Sequence, residues 1–330
     1  MKAMVLTRFG APEGLQLREV PKPTPKDDEV LVKVRAASVF AGDAELRGLR
    51  LPLATRLPVF IYFSFLRPKP LILGQELAGD VEAVGNAVQG YRPGDAVYAA
   101  TGFGLGAYAE YVCLPTTPQF LRGTLAPKPT NLSYGEAATM PVGGLEALHF
   151  MRQARLRPGE RVLINGAGGS IGAVAVQLAK DAGAEVTATD SAHKLDTLRG
   201  LGADHVLDYA QADFTRQGQT YDVIVDVVGK SDFSRSLGAL TPAGRYLLVN
   251  PSQHHHWQRR WANPGGRQII TGAGPQRAAD LRHLTSLIEA GRLKPAVDRS
   301  YPLEQLAEAH RYVDAGRKRG TVTIWVIPPR

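Results

Sequence analysis

The stretch with the most chemical content is Asn165-Gly166-Ala167-Gly168-Gly169-Ser170-Ile171-Gly172. It joins a short apolar run, Val162-Leu163-Ile164, to a nearly all-apolar helical segment, Ile171–Ala182. In a strand–turn–helix context each glycine has its own task. Gly166 permits a tight turn out of the strand. Gly168 and Gly169 remove side chains where a backbone must approach a pyrophosphate, and Gly172 lets the helix pack closely on the sheet. Backbone N–H groups from Gly169 through Ser170 to Ile171 would then face the phosphates with the positive end of the helix dipole. The chemistry served is the gripping of a dinucleotide.

The next strand ends at Asp190. An acidic residue about twenty positions past such glycines accepts hydrogen bonds from the adenosine ribose and repels a 2′-phosphate, which favours NAD. Ser191, His193 and Lys194 offer partners to an extra phosphate, which favours NADP. Asp190 could also cap the helix that begins near Ala192. The sequence leaves the choice between NAD and NADP open.

Other reactive residue types are sparse. A single cysteine, Cys113, excludes an intramolecular disulfide and any multi-cysteine metal site. It sits in an alternating run and reads as a small buried hydrophobe. His254-His255-His256 lies in a polar stretch with Trp257, Arg259, Arg260 and Trp261. Adjacent histidines do not converge on one ion without partners, so the run reads as a loop over a cleft or as an exposed loop without a role. Neither a Ser-His-Asp nor a Cys-His signature occurs in a convincing context. Leu51–Pro70 is unusually apolar for a connection. It is expected to line a pocket for a small hydrophobic acceptor, or to pack in its own domain or at a dimer contact. Tyr62 within it is a candidate proton donor or ring-stacking residue.

The elements that must position these residues fall into two patterns. Ala3–Leu6, Glu29–Ala36, Leu77–Val84 and Ala107–Cys113 read as short strands between Pro- and Gly-bearing turns, which suggests a small β-barrel. From Arg161 onward strands alternate with helices. Glu185–Ala188, Val223–Asp226 and Tyr246–Val249 are strands, His193–Leu201 a helix, and Ala279–Glu289 a later amphipathic helix. Strands apolar on both faces indicate a parallel sheet covered on both sides. Thr321–Ile327 is a last strand, expected to return to the first domain. The fold class is α/β, and 330 residues suit two domains.

The net charge of +8 is scattered along the chain, which argues against nucleic acid as a partner. Met1–Gly10 shows no signal-peptide pattern, and the ten-residue apolar run Leu57–Leu66 is too short to span a bilayer. A cytoplasmic enzyme without membrane insertion is expected.

With the dinucleotide turn in place, the chain resembles the zinc-independent quinone oxidoreductase-like (zeta-crystallin-like) group of the medium-chain dehydrogenase/reductase superfamily. The resemblance runs nearly end to end, through Met1–Val5, Ile72–Gly79, Gly90–Val97, Gly106–Val112, Met140–Leu145, the glycine turn, Leu201–Tyr209 and Tyr221–Gly229. It implies a GroES-like catalytic domain from both chain ends, residues 1–125 and 274–330, and a Rossmann domain at 126–273. It also implies a cleft where substrate meets the nicotinamide, and a homodimer. Residue by residue, it assigns Gly166, Gly168, Gly169, Ser170 and Ile171 to the pyrophosphate. Asp190, Ser191, Lys194 and Tyr209 surround the adenosine end. Val227, Val228, Gly229, Asn250 and Pro251 lie along the nicotinamide riboside, and Val142 and Gly143 near the ring.

The departures from the family concern zinc and substrate. Zinc-using relatives place a cysteine at Phe40 and a histidine at Gln75, and Glu76 with Asp43 cannot supply the roughly three ligands a catalytic zinc needs. No zinc is expected. Quinone-reductase relatives commonly have asparagine at Phe40 and threonine at Glu146, so Phe40, Tyr62 and Glu146 are the candidate substrate-side residues.

The expected reaction is hydride transfer from NADPH or NADH to a quinone. Reduction of an α,β-unsaturated aldehyde or ketone uses the same parts. A dinucleotide-binding protein with a regulatory role is the alternative of a different class.

Overall fold

The polypeptide in the computed structural model is described for residues 1–66, 70–117, 122–251 and 265–328, and it divides into two units. The first comprises Met1–Val142, Gln276–Glu289 and Val297–Arg330; the second comprises Gly143–Pro275 and Ala290–Ala296. The histidine run 254–256 lies outside the described residues.

The first unit begins with a hairpin of β1 (Lys2–Leu6) and β2 (Leu15–Glu19). Its main sheet contains β3 (Glu29–Val39), β4 (Glu76–Val84), β5 (Ala96–Ala100), β6 (Tyr111–Pro115) and β7 (Thr124–Pro127). The long β3 is the hub, pairing antiparallel with both β4 and β6. Val30, Val32 and Val34 are fully buried there, as an inner strand with a branched apolar core requires. Gly79 lets β4 approach, since a Cβ there would lie 2.2 Å from the Lys33 carbonyl oxygen. After β3 come the helices α1 (Ala41–Gly48) and α2 (Leu53–Ile61), and after β7 a single turn, α3 (Tyr134–Ala137). The expected strand Ala107–Cys113 starts only at Tyr111. Its first half is instead held by bonds such as Tyr108 N to Leu73 O and a lone bridge of Ala3 with Ala109.

α4 (Pro141–Ala154) begins with the last two residues of the first unit's opening segment, and the second unit is built on six strands: β8 (Arg161–Asn165), β9 (Glu185–Asp190), β10 (His205–Asp208), β11 (Tyr221–Asp226), β12 (Leu240–Leu248) and β13 (Gln268–Thr271). All neighbours are parallel, in the order β10-β9-β8-β11-β12-β13. This is the doubly wound order, whose direction reverses between β8 and β11, and ligands sit beyond the carboxyl ends of strands at such a reversal. Between the strands run α5 (Ser170–Asp181), α6 (Leu195–Gly200) and α7 (Phe233–Gly238). Val162, Leu163 and Ile164 are completely buried, which is why β8 reads as continuously apolar.

The chain then returns to the first unit with α8 (Ala278–Glu289), β14 (Val297–Pro302), α9 (Leu306–Asp314) and β15 (Thr321–Trp325). β15 pairs antiparallel with β3, Ile324 opposite Ala37, so the last strand joins the sheet begun near the N-terminus.

Candidate active site

The glycine turn lies at the β8 end of the sheet reversal. Gly166 has φ +82°, and a Cβ there would strike Val228 Cγ2 at 2.2 Å. Gly172 packs its helix against the turn so closely that a Cβ would lie 2.4 Å from the Gly166 carbonyl oxygen. Gly169 differs. It sits at the N-cap of α5 with φ −89°, and a Cβ there would meet nothing nearer than Gly166 O at 3.7 Å. Neither packing nor backbone geometry within the protein demands a glycine at 169. The amides of Ser170 and Ile171 follow in the first helical turn, where N–H groups have no intrahelical acceptor.

Asp190 is tied to this turn. Its Oδ2 accepts from Gly168 N at 2.7 Å, and its Oδ1 accepts from Ser191 N at 2.8 Å. The Lys194 ammonium stands 2.8 Å from the same Oδ1. Tyr209, largely exposed, donates its backbone N–H to the Asp190 carbonyl oxygen at 3.2 Å. Asp190, Ser191, Lys194 and Tyr209 therefore gather at one end of the glycine turn.

A second buried acid, which the sequence reading missed, organises the other strand ends. Asp226 is fully buried at the end of β11 and accepts from Asn165 Nδ2 at 3.0 Å, Gly229 N at 2.8 Å and the Tyr246 hydroxyl at 3.0 Å, with the Ser231 hydroxyl also bound. Asn250 Nδ2 donates to Val227 O at 2.7 Å. These bonds fix Val227, Val228 and Gly229 beside Gly166, with Asn250 and Pro251 following β12. The available signal was an acid placed directly after the apolar run Val223-Ile224-Val225. Alternation could not reveal its four partners.

Glu146, on α4, is half-buried. Its Oε2 accepts from Gly274 N at 3.3 Å, and burial pushes its carboxyl above the ordinary range. On the same helix Gly143 lies against Ser170, where a Cβ would be 3.0 Å from the Ser170 backbone.

The first unit holds a separate polar cluster around Glu76 and Asp43, to which the sequence reading did not assign Ser38, Tyr108 or His310. Glu76 is fully buried, with Oε1 accepting from Ser38 Oγ at 2.7 Å and Oε2 from Val142 N at 2.9 Å. Burial, reinforced by the nearby Asp43 charge, pushes its carboxyl up to about 7. Asp43 is also fully buried. It accepts from the Tyr108 hydroxyl at 3.1 Å and from Phe40 N at 3.3 Å, and burial raises it to about 6. Behind Tyr108, His310 stacks edge-on at 5.8 Å between ring centroids. Its burial, with Arg47 alongside, lowers its pKa to about 3.

This cluster does not fit a catalytic zinc. Phe40 offers no donor, and the two carboxylates already accept from Ser38, Val142, Tyr108 and Phe40. Tyr62 is placed elsewhere, on the outer side of the first unit, half-exposed with its ring against Phe63.

A groove of about 500 Å³ in the first unit is lined by Pro21, Ile72, Leu105, Tyr111, Cys113 and Pro115, among others. None of the sequence-predicted site residues lines it, and of the apolar insert only Pro70 does.

Comparison with known proteins matches this geometry. The family described as "Alcohol dehydrogenase GroES-like domain" matches residues 26–121, and "Zinc-binding dehydrogenase" matches residues 201–324. The second description names a metal, and no group of three His, Cys, Asp or Glu able to hold one occurs among the described residues. The 2-methylene-furan-3-one reductase of Solanum lycopersicum is 31% identical over 99% of this chain and 80% of its own length. The "NADPH-dependent alkenal/one oxidoreductase, chloroplastic" of Arabidopsis thaliana is 30% identical with the same coverage. The solved structure of the quinone oxidoreductase from Coxiella burnetii superposes with a TM-score of 0.87 at 29% identity, covering 99% of each chain. Its GroES-like domain, its Rossmann sheet and these relatives place the chain in the medium-chain dehydrogenase/reductase superfamily: it belongs to the quinone oxidoreductase-like group and is an NAD(P)H-dependent oxidoreductase.

Proposed function

We propose that the protein transfers a hydride, without zinc, to a quinone or a similarly electron-poor small hydrophobic acceptor, and that NADPH is its preferred donor. The observation that carries this reading is the bare backbone at Gly169, open to solute at the amino end of α5 and at the reversal of the parallel sheet. The bound nicotinamide supplies the hydride; the protein supplies alignment and exclusion of water. Gly166, Gly168, Gly169, Ser170 and Ile171 hold the pyrophosphate. The loop Val227-Val228-Gly229, locked by Asp226 and Asn250, together with Pro251 orients the riboside, with Val142 and Gly143 toward the ring. Phe40 and Glu146 are the residues assigned to the acceptor side.

The preference for NADPH rests on Asp190. Its oxygens are engaged by Gly168 and Ser191, and its charge is balanced by Lys194. A neutralised carboxylate no longer repels a 2′-phosphate, while Lys194 and the Ser191 hydroxyl offer it a cation and a donor.

A second reading, reduction of the carbon–carbon double bond of an enone, is favoured by the names of the tomato and Arabidopsis relatives. Steady-state oxidation of NADPH and NADH with a benzoquinone and with an alkenal separates the two. Turnover with the quinone and none with the alkenal supports the first reading, and the reverse supports the second. Tight NADPH binding by fluorescence without turnover of either acceptor would instead make the protein a dinucleotide-binding regulator.

A further inference from the structure

Residues 46–75 carry five Lys or Arg and no Asp or Glu. Within them α2 runs directly into a wider-pitched turn, Tyr62–Leu66, forming one apolar rod on the first unit. One side faces inward: Phe63 is buried, and Val59 packs against the barrel core. The other side has no cover. Leu53, Leu57 and Phe65 are 80%, 63% and 74% exposed, and Phe60 and Ile61 are exposed beside them at helical spacing. Phe60 joins Phe9 and Phe65 through ring contacts at 5.8 and 6.3 Å, so the patch is continuous. A contiguous exposed apolar patch marks an interaction site.

Charge decides what covers it. Arg56 on the helix and Arg8 beside Phe9 are exposed, with no ion pair among the described residues, whereas Arg50 on the adjoining turn is paired with Asp314. A second copy docking through a two-fold axis would bring this face, with its uncompensated Arg8 and Arg56, against itself. A surface carrying negative headgroups over an apolar interior complements both the apolar stripe and its basic rim. The rod is too short to cross a bilayer, and no helix among the described residues is long and apolar enough to do so. Lying in the plane of the interface is the geometry left to it.

We propose that the face formed by Leu53, Leu57, Phe60, Ile61 and Phe65, with Arg8 and Arg56 at its edge, docks on the surface of a bilayer containing anionic lipid. The apolar side chains enter the boundary between headgroups and acyl chains. This stands independently of which acceptor the enzyme reduces.

Co-sedimentation of the purified full chain with vesicles of phosphatidylcholine, alone or with about 30% phosphatidylglycerol, tests it. The expected result is binding to the anionic vesicles at least about tenfold stronger than to the neutral ones, weakening as salt is raised. Leu57→Glu combined with Phe65→Glu should cut that binding at least about tenfold, with turnover of a water-soluble acceptor and the melting temperature unchanged. Arg56→Glu, a milder change, should cut it by roughly fivefold or more through charge alone. No binding of the unmodified chain to either vesicle overturns the proposal, as does unaltered binding by all these variants. Equal, salt-indifferent binding to both vesicles overturns its anionic part. Light scattering adds a further contrary outcome: a dimer that Leu57→Glu with Phe65→Glu converts to monomer, without vesicle binding, assigns the face to a second copy.

Discussion

Glu76 Oε2 accepts a hydrogen bond from Val142 N at 2.9 Å while Glu76 itself is entirely buried. The carboxylate therefore anchors the first turn of α4, where the backbone N–H groups lack intrahelical acceptors. It does so without a strong counter-charge, and its pKa rises to about 7 in consequence.

This raised pKa makes stability depend on pH. In the unfolded chain the group titrates near its ordinary value of 4.5. Its contribution is fully present below that value and is lost as pH climbs toward 7, because the folded state must then bury a charge. Asp43, raised to about 6, acts in the same direction. Glu76→Gln should therefore gain stability relative to the unmodified protein on going from about pH 5 to about pH 8, by roughly 2–3 kcal/mol. Urea unfolding of both proteins at the two pH values measures this. A difference that stays constant would show that Glu76 is not buried as an acid.

Asp226 should be essential to the fold of the second unit. It is fully buried and accepts from Asn165, Gly229, Ser231 and Tyr246. Asp226→Ala leaves the buried Tyr246 hydroxyl and three partly buried donors without their acceptor and should cost about 2–4 kcal/mol. Thermal unfolding reads the loss, and NADPH affinity should fall with it as the Val227–Gly229 loop slackens.

Lys194→Ala tests the donor preference. Removing the cation leaves the Asp190 charge uncompensated next to a 2′-phosphate, so kcat/KM for NADPH should fall at least about tenfold and that for NADH much less. An equal fall for both would show that Lys194 serves the turn rather than the phosphate.

Chelation should leave activity unchanged. Prolonged dialysis against a strong chelator, followed by assay with and without added zinc, is expected to give identical rates, since Phe40 and Gln75 cannot replace the sulfur and imidazole donors that zinc prefers. Activity that disappears on dialysis and returns with zinc would contradict the donor-set argument.

The parts legible in the sequence were those set by local rules. The strand–turn–helix at Val162–Ala182 declared itself because β8 is apolar on both faces and the glycines fall where the turn needs them. Strand β15 was visible from its branched residues and was expected to return to the first domain; its pairing with β3 came only with the fold. What stayed hidden depends on long-range partners. β2, β5 and β7 are only four or five residues long and are defined by the strands beside them. Asp43, Glu76 and Asp226 look like ordinary surface acids in one dimension, and only the fold strips them of water. The insert around α2 read as apolar, and periodicity could not say which side the barrel would cover. Its outward face is exposed.

The glycines of the turn give the most direct test, because two of them answer to different demands. Gly172 is required by packing, and Gly172→Ala should destabilise the protein, since its Cβ would lie 2.4 Å from a backbone oxygen. Gly169 has open space around it, so Gly169→Ala should keep the melting temperature within the small change expected for a helix cap, below about 1 kcal/mol. NADPH titration of Gly169→Ala by fluorescence is the deciding measurement. Binding should weaken at least tenfold, by about 1.4 kcal/mol, in a fully folded protein. Affinity equal to that of the unmodified chain would mean that no diphosphate rests on this turn.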